Sequence, residues 1–599
     1  RFSASVFVKS ALQALALTQA IIPVGWPIKQ IKFVLDGESF DFIVVGAGSA
    51  GAVVAARLSE VAQWRVLLIE EGGIPPLGSV APSLFSTLTH TKYDYDYKGQ
   101  LDEGVGETHE EEGILRMTRG RMLGGTSSLN FLIYSRGKPA DYDQWNKTAP
   151  GWNWDNVLPY FKKLENMTDP LILEDPFYAK LHSQKGPIGV TRLDERFDET
   201  NRILMKSFEE IGIQPIMEIN GPELEGVAVP HFTVNNGRRQ STAESYIRPS
   251  KARSNLYIAR KSKVTKIIID KNTLQVEGVH VILKDGNTVN IFAKKEVIIS
   301  AGAIDSPKLL MLSGIGPEEE LAKYDIDILA NLPVGKNMMD HAMVPFGFTG
   351  ERGSQISGNS LTVTELDSMP MPALAGYYNV KSKENRNQPD IQFFNSHIAA
   401  SLSPIVYYAC KSLITYNDEF CYSLAKTNNE REINLMLIIL LHPESRGQVR
   451  LNSSNPFEEP TLEMGYFRDE RDLDSLTEAV LKATQLVNTT YFRKVAGSNP
   501  ELDVSGCEGI EFNTRDYWRC YVRSVVTTCY HPTGTCSMGR NGVLDERLRV
   551  HGIGRLRVVD ASAIPLIPSG NTNVPTIMLA ERATDFIKEE HLGQSFTLK

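Results

Sequence analysis

The clearest pattern of apolar and small residues lies near the start of the chain, around Gly46-Ala47-Gly48-Ser49-Ala50-Gly51. A short apolar run, 42–45, precedes this glycine-rich hexapeptide. Small and apolar residues then recur at helical spacing as far as Leu58, and a second apolar run, 65–69, ends at Glu70. The pattern predicts a strand, a glycine turn, a helix and a second strand.

This unit is typical of a Rossmann-like dinucleotide site. Gly46 permits the tight turn, Gly48 lets the backbone approach a pyrophosphate, and Gly51 lets the helix pack on the strand. Ser49 belongs to the same loop, and the phosphates would meet a helix N-terminus, which favours negative charge. Glu70 follows Gly51 by nineteen residues, where a carboxylate can bind ribose hydroxyls and repel a 2′-phosphate. The sequence therefore predicts FAD or NAD rather than NADP, against the alternative of a purely structural glycine turn.

A second domain is expected because 599 residues exceed what one hydrophobic core usually supports. In the later part of the chain, the runs 434–441 and 447–451 read as strands. We expect them to belong to a sheet under the substrate pocket. An aromatic stretch from Ser401 to Asn429 is a candidate lining for an apolar channel, with ordinary core packing as the alternative.

Charge and hydropathy limit the kinds of partner that the chain is expected to bind. A formal charge of −9 gives no broad positive field for phosphate backbones, so nucleic acid is not expected as a partner. No interior stretch has the roughly 20 apolar residues of a membrane-spanning helix, so stable membrane insertion is not expected. Small molecules or neutral partners are expected instead, and the sequence leaves the oligomeric state open.

The first segment, 1–39, admits two interpretations. Arg1 and Lys9 precede an apolar run that Pro23 closes, which resembles a secretory signal or its remnant. The alternative is an amphipathic first helix. We expect a secreted protein or one of the secretory pathway, with a cytoplasmic protein as the alternative. The four glycosylation sequons add little, because a chain of this length carries a few by chance; they begin at Asn146, Asn166, Asn452 and Asn488.

A histidine near the end of the chain, in Tyr530-His531-Pro532-Thr533-Gly534-Thr535-Cys536, admits three interpretations: metal ligand, structural turn or catalytic base. All six cysteines lie in the last third, without the CxxC spacing of a zinc site, so we expect no metal. One or two disulfides are expected if the protein is exported.

Several longer motifs identify a family. The segments GRMLGGTSSLNFLIYSRG, from residue 120, and GAIDSPKLLMLSGIG, 302–316, resemble the two signatures of the glucose-methanol-choline (GMC) flavoprotein oxidoreductases. LPVGKNMMDH, HPTGTCSMG and the stretch from Arg555 to Ala583 resemble the family too, in family order, and the overall likeness is to its arthropod branch. The resemblance implies an FAD-dependent enzyme that oxidises an alcohol to an aldehyde or ketone, with oxygen or another acceptor taking the electrons.

The resemblance also implies an architecture. The expected fold class is α/β, or α+β over the whole chain: a Rossmann-like FAD-binding domain interleaved with a substrate-binding domain on an antiparallel sheet. The FAD-binding pieces are expected at 40–150, 230–317 and 535–599. The substrate-binding pieces are expected at 151–229 and 318–534.

Motif matching assigns the FAD contacts residue by residue. Asn130 is expected near the flavin ring, Val264 at the adenine, and Asp560 and Ala561 at the ribityl or pyrophosphate region. The helix near Pro575 is expected to point its positive end at the flavin. The remaining assigned contacts are Arg121, Gly124, Gly125, Thr126, Ser127, Tyr530, Asn573 and Val574. Leu129 stands where relatives with covalent FAD carry histidine, which predicts noncovalent FAD.

The same matching places His531 as the catalytic base, with Asn573 as its partner that donates to the substrate oxygen. Histidine suits the role of catalytic base because its ordinary pKa lies near neutrality. His341 is expected to be structural. The substrate is expected to be an ecdysteroid or another bulky alcohol, with glucose dehydrogenase-type sugar oxidation and cyanohydrin lyase activity as the alternatives.

Overall fold

The computed structural model describes residues 35–192, 198–354, 356, 373–380, 387–400 and 402–593. Most of the predicted N-terminal segment, 1–34, lies outside the described residues. The described residues form 21 strands, numbered β1 to β21 in chain order: Ser39–Val45, Val66–Glu70, Tyr97–Gln100, Ile114–Met117, Glu165–Met167, Ile188–Val190, Gly226–Ala228, Val234–Asn235, Arg238–Arg239, Leu256–Arg260, Lys263–Ile269, Val276–Ile282, Thr288–Ile299, Ala342–Thr349, Ala373–Tyr378, Ile391–Ile398, Ile433–Leu440, Gln448–Arg450, Thr461–Glu463, Thr527–Thr528 and Leu556–Val558.

Thirteen α-helices lie in the described part of the chain. Numbered α1 to α13 in chain order, they are Gly51–Leu58, Pro139–Thr148, Trp154–Leu164, Pro170–Glu174, Asp198–Glu210, Gly302–Leu312, Glu318–Leu321, Ser403–Ala409, Asp418–Thr427, Glu470–Ala483, Thr490–Lys494, Arg515–Val525 and Asn573–Leu592. None of these helices combines the length and the apolar character that a bilayer crossing requires.

A seven-stranded sheet carries the glycine-rich turn. Its order is β10-β2-β1-β13-β12-β11, with β21 also paired to β13. The strands β10, β2, β1, β13 and β21 run parallel, while β12 and β11 add an antiparallel extension. The runs predicted as strands at 42–45 and 65–69 are β1 and β2, and both are buried as continuous apolar segments. This agrees with the predicted strand, turn, helix and strand.

A six-stranded antiparallel sheet, β20-β14-β17-β16-β15-β7, forms the other large layer. The predicted run 434–441 is β17 in the middle of this sheet. The run 447–451 contains β18, but β18 belongs to a separate four-stranded sheet with β19, β3 and β4. The prediction that both runs share one sheet under the pocket is therefore wrong for the second run.

Four of the six cysteines form two disulfides in the described part of the chain. Cys410 is bonded to Cys421, and Cys507 to Cys520. Cys529 and Cys536 are free. The first disulfide closes the chain segment between α8 and α9, so the aromatic stretch 402–429 is a cross-linked unit.

Candidate active site

A cavity of about 410 Å³ lies between the two large sheets. One end is bounded by the carboxyl ends of β1, β2 and β13, where open α/β sheets bind their ligands. The other end is bounded by β16 and β17 of the antiparallel sheet. The cavity is continuous between these two ends. A ligand bound at the glycine turn would therefore lie in the same cavity as a ligand bound at the antiparallel sheet.

The glycine turn is shaped by close backbone contacts. A Cβ on Gly46 would lie 2.4 Å from the Ser300 carbonyl oxygen, and one on Gly51 would lie 1.9 Å from the Gly46 oxygen. A Cβ on Gly48 meets only the Gly125 Cα, at 4.0 Å. Gly46 and Gly51 are therefore required by packing, while Gly48 leaves its backbone open to the cavity. The packing roles predicted for Gly46 and Gly51 agree with these contacts, while the approach of a pyrophosphate to Gly48 stays a prediction.

Glu70 is held at the end of β2 by backbone amides. Its Oε2 accepts from the Ala47 N–H at 2.9 Å and its Oε1 from the Gly72 N–H at 2.8 Å. Burial raises the pKa of Glu70 to about 7. Glu70 also lines the cavity, and hydroxyl donors there would favour the charged form of its carboxylate.

Most of the predicted cofactor contacts lie on the cavity wall. The residues that line it are Gly46, Gly48, Ser49, Glu70, Gly125, Thr126, Asn130, Val264, Tyr530, Asp560, Ala561 and Asn573. The residues that do not line it are Gly51, Arg121, Gly124, Ser127, Val574 and Pro575. Arg121 instead donates to the Glu71 Oε1 at 2.7 Å, so its charge is already paired.

Ser300 is a wall residue that the sequence prediction missed. Its hydroxyl is buried in the cavity wall and has no hydrogen-bond partner within the described residues. A buried hydroxyl without a partner is costly unless a ligand satisfies it. The polar end of the cavity thus offers the open backbone of Gly48, the carboxylate acceptors of Glu70 and the unpartnered hydroxyl of Ser300. These groups suit a ligand that contains phosphate and ribose.

His531 sits on a rigid turn at the junction of the two ends. The preceding Tyr530 has φ of +62°, a left-handed conformation that is strained for a bulky residue. The carboxylate of Asp340 holds the turn by accepting the His531 N–H at 2.8 Å, and Arg119 donates to the Tyr530 carbonyl. This fixed backbone places the His531 imidazole on the cavity wall.

The hydrogen bonds of His341 determine where the His531 proton lies. The His341 Nε2 is 3.1 Å from the Leu441 carbonyl oxygen, which can only accept, so Nε2 carries the proton. The His341 Nδ1 is then an acceptor in the neutral ring, and it lies 2.9 Å from the His531 Nδ1. His531 must therefore donate from Nδ1, which leaves its Nε2 unprotonated. The prediction that His341 is merely structural missed this contact.

Both imidazoles are kept neutral. Burial lowers the pKa of His531 well below its usual range, and His341 and Arg119 lower it further. Burial likewise lowers the pKa of His341 to about 3. A neutral His531 with an unprotonated Nε2 can accept a proton throughout the physiological pH range.

The partner of His531 is Asn571. The Asn571 Nδ2 lies 3.3 Å from the His531 Nε2, and the Asn571 Oδ1 is buried without a partner in the described part. The predicted partner, Asn573, also lines the cavity, but its Oδ1 accepts from the Ser49 hydroxyl at 2.7 Å. The structure corrects the assignment because α13 begins at Asn573, which turns that side chain toward the glycine loop.

The end of the cavity beyond His531 is largely hydrocarbon. Its walls include Phe131, Ile133, Phe394, Ile398, Leu435 and Leu437. The predicted aromatic lining is absent: from the segment 402–429 only Ala409 and Leu413 reach the cavity. Tyr416 and Phe420 are buried in the core, and Tyr422 is 68% exposed. Core packing, the alternative interpretation, describes most of these aromatics.

One group within the described residues has the composition of a metal site: His90, Asp94 and Asp96. The oxygens of Asp94 already accept the N–H groups of His90, Asp96 and Arg119. His90 itself bridges Asp96 and the Ser412 carbonyl. The hydrogen bonds within the group explain its compactness without an ion.

Comparison with known proteins settles the family. The sequence profile of the GMC oxidoreductases matches residues 40–343 and 443–580. The chain is 36% identical to an ecdysone oxidase of Spodoptera littoralis, covering 98% of this chain and 97% of that protein. It is 35% identical to a glucose dehydrogenase [FAD, quinone] of Drosophila melanogaster, covering 92% of this chain and 87% of that protein. The chain belongs to the GMC oxidoreductase family.

This GMC oxidoreductase shares its architecture with solved flavoproteins. A formate oxidase of Aspergillus oryzae superimposes with a TM-score of 0.78 at 28% identity, covering 94% of this chain and all of that one. The predicted family, the mixed α/β fold and FAD as the cofactor are thereby confirmed. The protein is an FAD-dependent oxidoreductase that acts on a small molecule and passes electrons to an acceptor.

The residues present fit FAD. The glycine turn and Ser300 would hold the pyrophosphate, Glu70 the ribose, and Asn130 the ring. When bound, FAD supplies the oxidant that takes a hydrogen with its electron pair from the substrate carbon. The chain supplies the proton acceptor, the Nε2 of His531, and a donor, the Asn571 amide.

The attachment of FAD is expected to be noncovalent. Leu129 lines the cavity and packs on Leu88 and Met122, and a hydrocarbon side chain cannot form a bond to the flavin ring. Acid precipitation of the yellow protein should release all of the flavin as intact FAD, measured by absorbance of the supernatant. A yellow pellet with a colourless supernatant would contradict this.

His341 is expected to act through His531. In His341→Leu, His531 loses the acceptor for its Nδ1 proton. We expect alcohol-driven flavin reduction to slow roughly 5-fold to 150-fold, as for the loss of a buried hydrogen bond of about 1–3 kcal/mol. His341→Gln is the matched control, since its Oε1 can accept from Nδ1 and its amide can donate to Leu441. A positioning role requires that Gln restore most of the rate; equal loss in both variants would indicate a structural role only.

Proposed function

We propose that this GMC oxidoreductase oxidises a primary or secondary alcohol group carried on a bulky, largely apolar molecule, with an ecdysteroid as the leading substrate. The observation that carries the proposal is the unprotonated Nε2 of His531 at the edge of a chamber walled by hydrocarbon. The 36% identity to an ecdysone oxidase of Spodoptera littoralis supports the same substrate class.

The proposed roles follow from the polar groups at the chamber edge. One Nδ2–H of Asn571 donates to the carbinol oxygen and orients it beside the His531 Nε2. The His531 Nε2 accepts the hydroxyl proton, and the Nδ1–H bond to His341 stabilises the imidazolium that results. Hydrophobic walls exclude water around these groups, which strengthens each interaction.

A second polar group on the substrate is supported by Ser396. This residue of β16 lines the chamber between Phe394 and Ile398, and its hydroxyl has no hydrogen-bond partner within the described part of the chain. We propose that it binds a hydroxyl or carbonyl remote from the reacting carbon. Ser396→Ala should lower kcat/KM for a substrate with such a group by about 2-fold to 10-fold, as for one hydrogen bond of 0.5–1.5 kcal/mol. A monofunctional alcohol of the same size should be unaffected.

The test is a substrate screen that follows flavin absorbance without oxygen. An ecdysteroid, an aryl alcohol, glucose and a cyanohydrin are compared at equal concentrations. We expect the steroid alcohol to bleach the flavin fastest. Bleaching by glucose at a higher kcat/KM than by the ecdysteroid would overturn the proposed substrate class, and cyanohydrin cleavage without bleaching would indicate a lyase.

Sugar oxidation is the second candidate because of the 35% identity to a glucose dehydrogenase of Drosophila melanogaster. A free sugar presents hydroxyls around its whole ring, and each would need a polar partner. The hydrocarbon walls described above favour the steroid alcohol. Oxygen consumption during turnover, compared with reduction of a quinone, distinguishes an oxidase from a dehydrogenase.

We also propose that the chain matures in the secretory pathway. Its two disulfides support an oxidising compartment. Of the four sequons, those at Asn452 and Asn488 start on exposed residues, whereas Asn166 lies within β5.

Protein from insect-cell medium should shift on a gel after endoglycosidase treatment, and Asn452→Gln with Asn488→Gln should remove most of the shift. Protein retained inside the cells with reduced cysteines would contradict the proposal.

A further inference from the structure

Arg239 is a buried cation without an acidic partner. This residue of β9 is 1% exposed, and among the described residues no carboxylate bonds its guanidinium. Its Nε donates to the Ser79 carbonyl at 2.8 Å, and its Nη2 has no hydrogen-bond partner in the described part. Burial lowers the pKa of Arg239 to about 9, which still leaves the group charged at neutral pH.

Such a charge is expensive to bury alone. Taking an ion out of water costs several kcal/mol even after the protein relaxes, and carbonyl groups offset only part of that cost. A buried cation therefore calls for an opposite charge nearby in the working protein. Within the described residues, none is supplied by an Asp or Glu side chain bonded to Arg239, so a bound anion is the remaining source.

The guanidinium lies one side-chain layer behind the cavity wall. Its Nη1 donates to the Asn130 Oδ1 at 2.6 Å and to the Ser127 carbonyl at 3.3 Å. Asn130 lines the cavity, and its Oδ1 also accepts the Leu132 N–H at 3.1 Å. With the oxygen fixed in this way, the Asn130 amide can present only its Nδ2–H donors to the cavity.

We propose that Arg239 is the electrostatic counter-charge of bound FAD: it stabilises the negative charge that the flavin ring gains on reduction, directly and through Asn130. The inference rests on the FAD site described above and on the predicted place of Asn130 at the ring. Removing the charge is expected to make the reduced flavin less stable relative to the oxidised flavin. Arg239 is a positioning and electrostatic residue, since it does not itself line the cavity.

The decisive measurement is the two-electron midpoint potential of the bound flavin, titrated against a reference dye. In Arg239→Gln we expect the ratio of reduced to oxidised flavin at a fixed potential to fall about tenfold, which is about 30 mV for a two-electron couple. Arg239→Lys keeps the positive charge and should recover most of the loss. Arg238→Gln is the matched control, because the neighbouring residue on the strand points to the opposite side and its side chain is not buried.

A second pair of variants keeps Arg239 in place, in case its replacement prevents folding. Asn130→Asp puts a carboxylate against the guanidinium and neutralises it, so the potential should become more negative than in wild type. Asn130→Ala removes the amide donors but leaves the charge, so its shift should be smaller than that of Asn130→Asp.

The outcomes distinguish two parts of FAD that could carry the opposite charge, the reduced flavin ring and the pyrophosphate. A more negative potential in Arg239→Gln and Asn130→Asp, with Arg238→Gln unchanged, supports the proposal. Weaker FAD binding with an unchanged potential would mean that Arg239 serves the pyrophosphate, and it would overturn the proposal. An unchanged potential with unchanged FAD binding would overturn it as well. Failure of all substrates in the screen would refute the proposed function but leave this measurement valid, because dye titration needs no alcohol.

Discussion

Replacing His531 with alanine is expected to slow alcohol-driven flavin reduction by about 10²–10⁴-fold, the usual worth of a positioned acid–base group. The reason is that His531 offers an unprotonated nitrogen beside Asn571 at the chamber edge. Stopped-flow absorbance without oxygen measures the step directly. FAD content should stay near that of wild type, because the backbone turn is held by Asp340 rather than by the imidazole.

His551→Ala is the matched control, since this histidine lies in a turn and contacts the Gly539 carbonyl, away from the cavity. Its rate should equal that of wild type. Asn571→Ala should lose only about 2-fold to 12-fold, as for one hydrogen bond of 0.5–1.5 kcal/mol. A His531→Ala protein that is reduced at the wild-type rate would return this residue to the role of a structural turn.

The pH dependence provides a separate check on the same base. A free imidazole would lose activity as the pH falls through about 6.5. Because burial lowers the pKa of His531 well below that value, the rate of flavin reduction should stay level through pH 6.5 and fall only at more acidic pH. A midpoint near pH 6.5 for flavin reduction by the substrate would contradict the buried, neutral state of His531.

Replacing Arg136 with methionine is expected to lower the free energy of unfolding by about 3–5 kcal/mol, because it leaves a buried charge uncompensated. The guanidinium of Arg136 is 1% exposed and pairs with Glu165, which is fully buried and also bonds His182 at 2.8 Å. Chemical denaturation followed by circular dichroism measures the change. Arg468→Met is the control: it removes an exposed pair with Asp102 and should cost at most about 1 kcal/mol.

The same buried network makes stability depend on pH in both directions. Salt bridges and hydrogen bonds lower the pKa of Glu165 and Glu218 despite their burial, so their contribution is present above the unfolded value of about 4.3 and is lost as the pH falls. Bonds to those carboxylates raise the pKa of His182, so its contribution is present below about 6.5 and is lost as the pH rises through the raised value. Wild type should therefore be most stable between these limits, and Arg136→Met should be destabilised at every pH.

The local parts of the fold were predictable from the sequence because neighbouring residues determine them. The strand β1, the glycine turn and helix α1 follow from a run of twenty residues, and the predicted elements agree with the structure. The place of β18 was not predictable in this way. A short apolar run indicates a strand, but only packing decides which sheet it joins.

The same limit applies to the candidate site. His531 was recognisable from its motif, yet its contact with His341 joins residues 190 positions apart and has no local signal. The choice between Asn571 and Asn573 depends on where α13 begins, and a two-residue error at a helix start is ordinary for sequence reasoning. The sequence showed the glycine-rich hexapeptide and both asparagines, but it did not show in which direction each asparagine side chain points.

The hydrogen bond between Ser49 and Asn573 joins residues 524 positions apart, across nearly the whole chain. During synthesis at about 5–20 residues per second, the glycine turn would wait roughly half a minute to two minutes before α13 emerges to complete it. The first strands are made early, but the pocket for the cofactor cannot close until α13 has emerged from the ribosome. FAD is therefore expected to bind only after α13 has emerged, and a chain truncated before α13 should be purified without flavin colour.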